Sequence, residues 1–161
     1  MNNDSAHNSN WAIAEIVFGV PFLISIVLQF IFPFSFPPGI LHKVLMPVGI
    51  ALIITSIYLL VLSRREMSLY GQPTDPGHPT SRLVKTGTFS FSRNPLYLSS
   101  VIFLFGIALT MIGFWSFVAI LVSMIACHYI LVVPEEKYLT AKFGKEYQEY
   151  TNAVHRWFGR K

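Results

Sequence analysis

Residues 96–133 read LYLSSVIFLFGIALTMIGFWSFVAILVSMIACHYILVV, and no Asp, Glu, Lys or Arg interrupts them. Gly113 divides the run into two apolar stretches, 96–112 and 114–133. Each is close to the roughly 20 residues a helix needs to cross the hydrocarbon core. With almost no loop between them, they predict a tight helical hairpin whose open ends lie together. A polar cluster stands at each open end. Thr86-Gly87-Thr88-Phe89-Ser90-Phe91-Ser92-Arg93-Asn94-Pro95 leads in, and Pro134-Glu135-Glu136 leads out. Arg93 and Asn94 should therefore face Glu135 and Glu136. Charge held by rigid elements at a bilayer surface is costly and points to function.

Outward from the hairpin, two more apolar stretches precede it. Trp11 to Phe32 is interrupted only by Glu15, Pro21 and Gln29, and Val44 to Leu62 is cleaner. Their lengths and the lack of period-two alternation exclude strands. The composition agrees: 53% of the 161 residues are hydrophobic and 12% charged, against roughly 25% charged in a soluble domain. Mean hydropathy is +0.52. The prediction is an all-α polytopic membrane protein, one domain over 1–161. It has four transmembrane helices at about 11–32, 44–62, 96–112 and 114–133, and a C-terminal amphipathic helix.

Lys and Arg set the orientation. The segment 33–43 carries Lys43 alone. The segment 63–95 carries Arg64, Arg65, Arg82, Lys85 and Arg93, and the tail carries Lys137, Lys142, Lys145, Arg156, Arg160 and Lys161. Four spans then put 63–95, the tail and both termini in the cytoplasm. The N-terminal MNNDSAHNSN has no Lys or Arg before the apolar stretch and no small-residue cleavage site follows, so the first stretch is expected to remain as a span. The net charge of +4 reads as this bias plus attraction to anionic headgroups, without a nucleic-acid partner. Cys127 is the only cysteine and sits in an apolar run, where a thiol packs rather than reacts.

Pro33-Phe34-Ser35-Phe36-Pro37-Pro38-Gly39 should lie in the outer interface. Arg64 and Arg65 end the second span. Tyr70 to Pro79 holds three prolines and two glycines, which forbid regular structure; it is either a linker or an ordered loop against a ligand. In the tail, Leu139, Phe143, Tyr147, Tyr150, Val154 and Trp157 recur at helical spacing, with Gly144 as an interruption. That helix either lies on the headgroups or folds back as a lid over the two clusters.

Each polar residue has two readings. Pro134 deprives the Ile130 carbonyl of its donor, which then needs another partner in lipid, or it opens a new helix whose dipole favours the two acids. Arg93 is a forked anion donor beside the free N–H groups opening the third span at Pro95, or a positive-inside anchor. Tyr97 is a ligand contact or an interface aromatic. His128, inside the fourth span, orients a ligand or bonds to another helix. Together these residues offer donors for a carboxylate, acceptors for an ammonium and sugar hydroxyls, and aromatics for a flat ring. A zwitterionic nucleoside such as S-adenosylmethionine fits that inventory, among other ligands. No metal site is expected.

Lys85-Thr86-Gly87, Phe89 and Ser92-Arg93-Asn94-Pro95-Leu96-Tyr97 resemble the T-G-x-(F/Y)…R-(H/N)-P-x-Y segment of the isoprenylcysteine carboxyl methyltransferases and related phospholipid methyltransferases. Glu135-Glu136-x-x-Leu139, Phe143-Gly144-x-Glu146-Tyr147-x-x-Tyr150 and Val154-x-Arg156-Trp157 resemble that family's tail. The likeness covers about residues 78–158. It implies methyl transfer from S-adenosylmethionine to a lipophilic or amphipathic acceptor, such as an isoprenylcysteine-like carboxylate. A phospholipid amine or a small thiol is the alternative acceptor, and a non-enzymatic scaffold or carrier the alternative function. It implies cofactor binding by the cytosolic loop 71–95 and tail 134–161. The cofactor residues it implies by position are Gly87, Arg93, Asn94, Pro95, Tyr97, Glu135 and Glu136. Leu83, Val84, Phe89, Tyr147 and Tyr150 complete the cofactor candidates, and Arg93, Glu136 and the intramembrane His128 are the catalytic candidates. Asn94 stands where eukaryotic relatives have His, so no imidazole base is expected there. The likeness of that position to bacterial-looking members implies a bacterial inner membrane.

Overall fold

The computed structural model describes residues 14–35, 39–72, 80–111 and 113–161. The expected start of the first span at Trp11, the prolines of 36–38, most of the 70–79 loop and Ile112 lie outside the described residues. Among the described residues the chain is helical, with only two isolated β-bridges. The helices are α1 (Ala14–Ile31), α2 (Ile40–Leu69), α3 (Pro95–Met111), α4 (Phe114–Ala126), α5 (Val133–Phe143) and α6 (Lys145–Ala153). A single 3-10 turn, Gly87–Ser90, and a π-helical segment, Cys127–Val132, complete them.

Three helical stretches are long and apolar enough to cross a membrane: Ala14–Ile31, His42–Leu69 and Phe114–Phe143. α3 is equally apolar but has 17 residues. It lies chiefly along α2, and α4 chiefly along α1. The α2–α3 seam is held close by two glycines. A Cβ on Gly49 would lie 2.6 Å from the Gly106 carbonyl oxygen, and one on Gly106 would lie 2.7 Å from that of Gly49. Close backbone approach of this kind drives helix association in lipid, where apolar side chains gain nothing by leaving the tails.

The far end of the bundle is tied at Gly113. The Phe114 amide donates to the Phe34 carbonyl (3.1 Å), and Trp115 Nε1 donates to that of Phe32 (2.9 Å). The Phe34 and Phe114 rings meet edge to face at 5.4 Å. The described part of the 33–39 loop therefore packs on the α3–α4 connection.

Two local expectations are corrected, and one left open is decided. Arg64 and Arg65 do not end α2, which runs on to Leu69; both side chains are exposed, and charged residues are good helix formers once outside lipid. Of the two readings of Pro134, the structure favours the second: it opens a new helix, α5, with both acids in the first turn. The backbone passes through the π segment, where the Val133 amide bonds the His128 carbonyl five residues back, and Pro134 falls in the first turn of α5, where its missing N–H is harmless. The wider π turn absorbs the proline that an α-helix would register as a kink. Finally, Val154 and Trp157 are not helical. The tail helix stops at Gly144 (φ +49°) as expected, and again at Ala153. Val154 is extended and bridges Arg160, so the last residues turn back on themselves.

The main core joins Val17 and Phe18 of α1, Leu104 and Ala108 of α3, Ile120 of α4, and Cys127, Leu131 and Val132 of the π segment; Tyr97 and Trp157 pack against it. Cys127 is a buried free thiol, as its apolar run implies. A second cluster of Tyr147, Tyr150 and Val154 packs with Leu83, Leu139 and Phe143. It fastens the tail to the loop before α3.

Candidate functional site

The tail is folded back over the loop, and backbone hydrogen bonds make the joint. The Arg93 amide donates to the His155 carbonyl (3.2 Å), and the Gly159 amide to that of Phe91 (2.7 Å). Asn94 Nδ2 donates to the Arg156 carbonyl (3.1 Å). Tyr150 donates its hydroxyl to the Phe89 carbonyl (2.7 Å). Burial holds the Tyr150 phenol well above its ordinary titration range, with Tyr147 adding to the shift and Arg93 opposing it. Tyr147 is raised in the same way by burial, then by the Glu136 charge, with Arg93 opposing.

Inside this joint the two predicted clusters meet. Arg93 Nη1 lies 3.0 Å from Glu136 Oε1 and 3.4 Å from the Tyr147 hydroxyl. Arg156 takes the same carboxylate through Nε (2.9 Å) and Nη2 (2.6 Å). That fork raises the Arg156 pKa, the hydrogen bonds to Glu136 being the largest cause. Its third nitrogen, Nη1, is 3.5 Å from His128 Nδ1. Glu135 is held differently. Tyr97 donates its hydroxyl to Glu135 Oε2 (2.9 Å), and among the described residues no cation pairs with Glu135.

Two buried polar atoms of the loop have no partner among the described residues: Arg93 Nε and Thr88 Oγ1. Native structures rarely leave such groups unpaired, so each asks for an explanation. The Arg93 side chain is only 10% exposed.

The remaining predicted residues are placed as follows. Leu83 packs on the tail tyrosines, Val84 is buried, and Pro95 is fully buried at the first position of α3. Gly87 adopts φ +55° and meets another carboxylate: a Cβ there would lie 2.6 Å from the carboxyl carbon of Glu66. Thr86 donates its hydroxyl to Glu66, and Tyr70 bonds Thr86 at 2.8 Å. Phe89 contributes its carbonyl to Tyr150. Tyr147 and Tyr150 are 3% and 6% exposed, so their rings are interior to the joint. His128 bonds to the tail and not to another span.

Sequence reasoning missed Arg156 and Glu66. Arg156 stood in view within Val154-x-Arg156-Trp157 but carried no role beyond its charge. Glu66 follows Arg64-Arg65 at the end of α2, and no spacing links it to a glycine 21 positions later.

Three helices long and apolar enough to cross a membrane stand with a charged, tyrosine-rich joint, and they define the class of an integral membrane protein. The chain belongs to the phospholipid methyltransferase family, whose model matches residues 44–146. It is accordingly a membrane methyltransferase by family. The matched region includes most of α2, the loop, α3, α4 and both glutamates; Tyr147, Tyr150 and Arg156 lie beyond it. No curated protein and no solved structure matches the chain.

Proposed function

We propose that this protein transfers a methyl group from S-adenosylmethionine to a lipophilic or amphipathic acceptor at the cytoplasmic face of a bacterial inner membrane. α3 serves as a fourth, short span, and both termini are cytoplasmic. The observation that carries this reading is the unequal treatment of the adjacent acids. Glu136 holds two arginines, whereas Glu135 has a phenol and, among the described residues, no cation.

The residues suit the ligand. Arg93 Nε and Thr88 Oγ1 are donors in the loop without a partner among the described residues, and a carboxylate would satisfy them. Glu135 would take an ammonium or a ribose hydroxyl. Burying an uncompensated carboxylate is costly, and a cationic ligand removes that cost. Tyr147 and Tyr150 hold the loop around the site through Arg93 and the Phe89 carbonyl. When bound, S-adenosylmethionine supplies a methyl group on a sulfonium, which an in-line nucleophile can take with little acid–base assistance. The protein's part is then alignment, with reacting atoms about 3 Å apart, and exclusion of water by the folded-back tail.

A phospholipid amine is the favoured acceptor among the alternatives, because the family is one of phospholipid methyltransferases and Glu135 faces no cation. The test has two arms. Labelled S-adenosylmethionine is bound to the purified full chain, with Arg93→Ala and Glu136→Ala beside it. The labelled donor is then incubated with a total lipid and thiol extract, and the product is identified. Wild-type binding by both variants would refute the site, and absence of any labelled product would refute the activity.

A further inference from the structure

His128 is the polar side chain at bilayer depth that the reading above leaves without a task. It lies five residues before Val133, so its Cα is about 7.5 Å inside the predicted end of the span at 1.5 Å per residue. It sits in the π segment, a feature that recurs at functional sites. Its ring meets Tyr129 edge on at 4.8 Å.

The contact with Arg156 fixes which nitrogen carries the proton. A guanidinium has donors only. Arg156 Nη1 at 3.5 Å from Nδ1 therefore donates, and Nδ1 must be the bare acceptor. The proton of the neutral ring is then on Nε2, on the edge turned away from Arg156. Nε2 has no partner among the described residues. An N–H donor on the edge turned away from Arg156, inside the predicted end of the span, needs an oxygen to accept it.

We infer that His128 is an acceptor-binding residue: Arg156 locks it as the Nε2–H tautomer, and that N–H holds an oxygen of a membrane lipid at the headgroup boundary. The oxygen is a headgroup phosphate or an acyl ester carbonyl. Arg156 thus couples the two halves of the site, gripping Glu136 with one edge of its guanidinium and setting His128 with the other. The inference rests on the proposed activity only for calling that lipid the methyl acceptor.

The experiment is nitrogen NMR on the full chain with labelled histidine, His128 being assigned by its loss in His128→Gln. Samples are detergent micelles, phosphatidylethanolamine nanodiscs and diacyl glycolipid nanodiscs. The expected spectrum shows an unprotonated Nδ1 and a protonated Nε2, and Arg156→Met mixes the tautomers. The Nε2–H resonance should shift from micelles to phosphatidylethanolamine discs. A shift in those discs alone assigns the phosphate, and a shift in both discs assigns the ester carbonyl. A protonated Nδ1 in the wild type, or an Nε2–H that ignores both lipids, overturns the inference. In turnover, His128→Leu should raise the acceptor KM roughly tenfold, the loss of one hydrogen bond to a polar lipid oxygen, with kcat little changed. His128→Gln should restore most of that loss. The NMR readout does not require turnover, so a protein that transfers no methyl group would fail the proposed activity without touching this result.

Discussion

Arg156 grips Glu136 through two nitrogens, at 2.9 Å and 2.6 Å, across a separation of 20 residues. The geometry is a fork onto a carboxylate, which lysine cannot reproduce. Glu136 in turn carries Arg93. The end of the tail and the loop before α3 thus converge on one carboxylate of α5.

Arg156→Lys keeps the charge and loses the fork. Because Arg156 is one-third exposed, solvent screens much of the pair, and the cost should be about 1 kcal/mol. Thermal unfolding in detergent measures it. Limited proteolysis should show faster cleavage in 154–161 before the helical bundle unfolds, since the turned-back end loses its strongest anchor. An unfolding temperature equal to wild type would mean the fork contributes nothing.

Glu136→Gln should be far more damaging. It leaves two guanidinium groups facing one another with their shared counterion removed. Breaking a buried pair in this way costs roughly 3 kcal/mol or more. Adding Arg156→Met to Glu136→Gln should recover part of the loss, because the uncompensated charge goes with it. Chemical denaturation of the two variants decides the matter; additive losses would show that the residues do not act as a unit.

Much of this architecture is legible in the chain because apolar run lengths map directly onto helices in lipid. The meeting of Arg93 with Glu136 is among the pairings that the two polar clusters foretell; the bond between Tyr97 and Glu135 is not. What periodicity cannot reveal is where a helix outlasts its apolar stretch. Arg64 and Arg65 are as helical as their neighbours, and Pro134 sits harmlessly beyond a π turn that leaves no mark in the sequence. Arg156 was hidden because the tail's helical pattern carries through Val154 and Trp157, although the chain is extended there. Once the backbone turns at Ala153, Arg156 points inward instead of riding an exposed face.

The α2–α3 seam makes a stability prediction with no charge in it. Gly106→Ala puts a methyl group 2.7 Å from a backbone oxygen, which cannot rotate away. Overpacking should cost about 1–3 kcal/mol. Gly49→Ala should act alike, and the double variant should cost less than the sum, since one separation of the helices relieves both clashes. Thermal unfolding reads all three. Gly19→Ala, where nothing lies within 4 Å, is the control and should match or exceed wild type.

Alkaline pH should loosen the tail. The Tyr150 phenol is raised above its ordinary value of 10.0 mainly by burial. A group whose folded pKa lies above its unfolded one contributes stability fully below the unfolded pKa, and that contribution is lost as pH rises through the folded value. The loss therefore begins near pH 10 and grows above it. Tyr150→Phe removes one titrating group and should flatten the alkaline slope, while costing about 1 kcal/mol at neutral pH by leaving the Phe89 carbonyl unpaired. Tyrosinate absorbance followed against pH, beside unfolding at each pH, tests both. Titration of all tyrosines at the ordinary value would contradict the burial of this ring.

Glu135 and Glu136 differ by one position and should differ in kind. Glu136→Gln breaks a network of the protein itself, so stability and ligand affinity should fall together. Among the described residues Glu135 has only the Tyr97 hydroxyl, and neutralising a carboxylate that lacks a cation removes a desolvation cost. Glu135→Gln should therefore unfold at or above the wild-type temperature. If Glu135 serves a cationic ligand, the same variant should bind labelled S-adenosylmethionine about tenfold or more weakly, the range for one charge-assisted hydrogen bond. Affinity lost while stability is kept is the signature of a ligand contact. Stability lost with affinity kept would instead make Glu135 a structural partner of Tyr97 and move the ligand's cation elsewhere in the site.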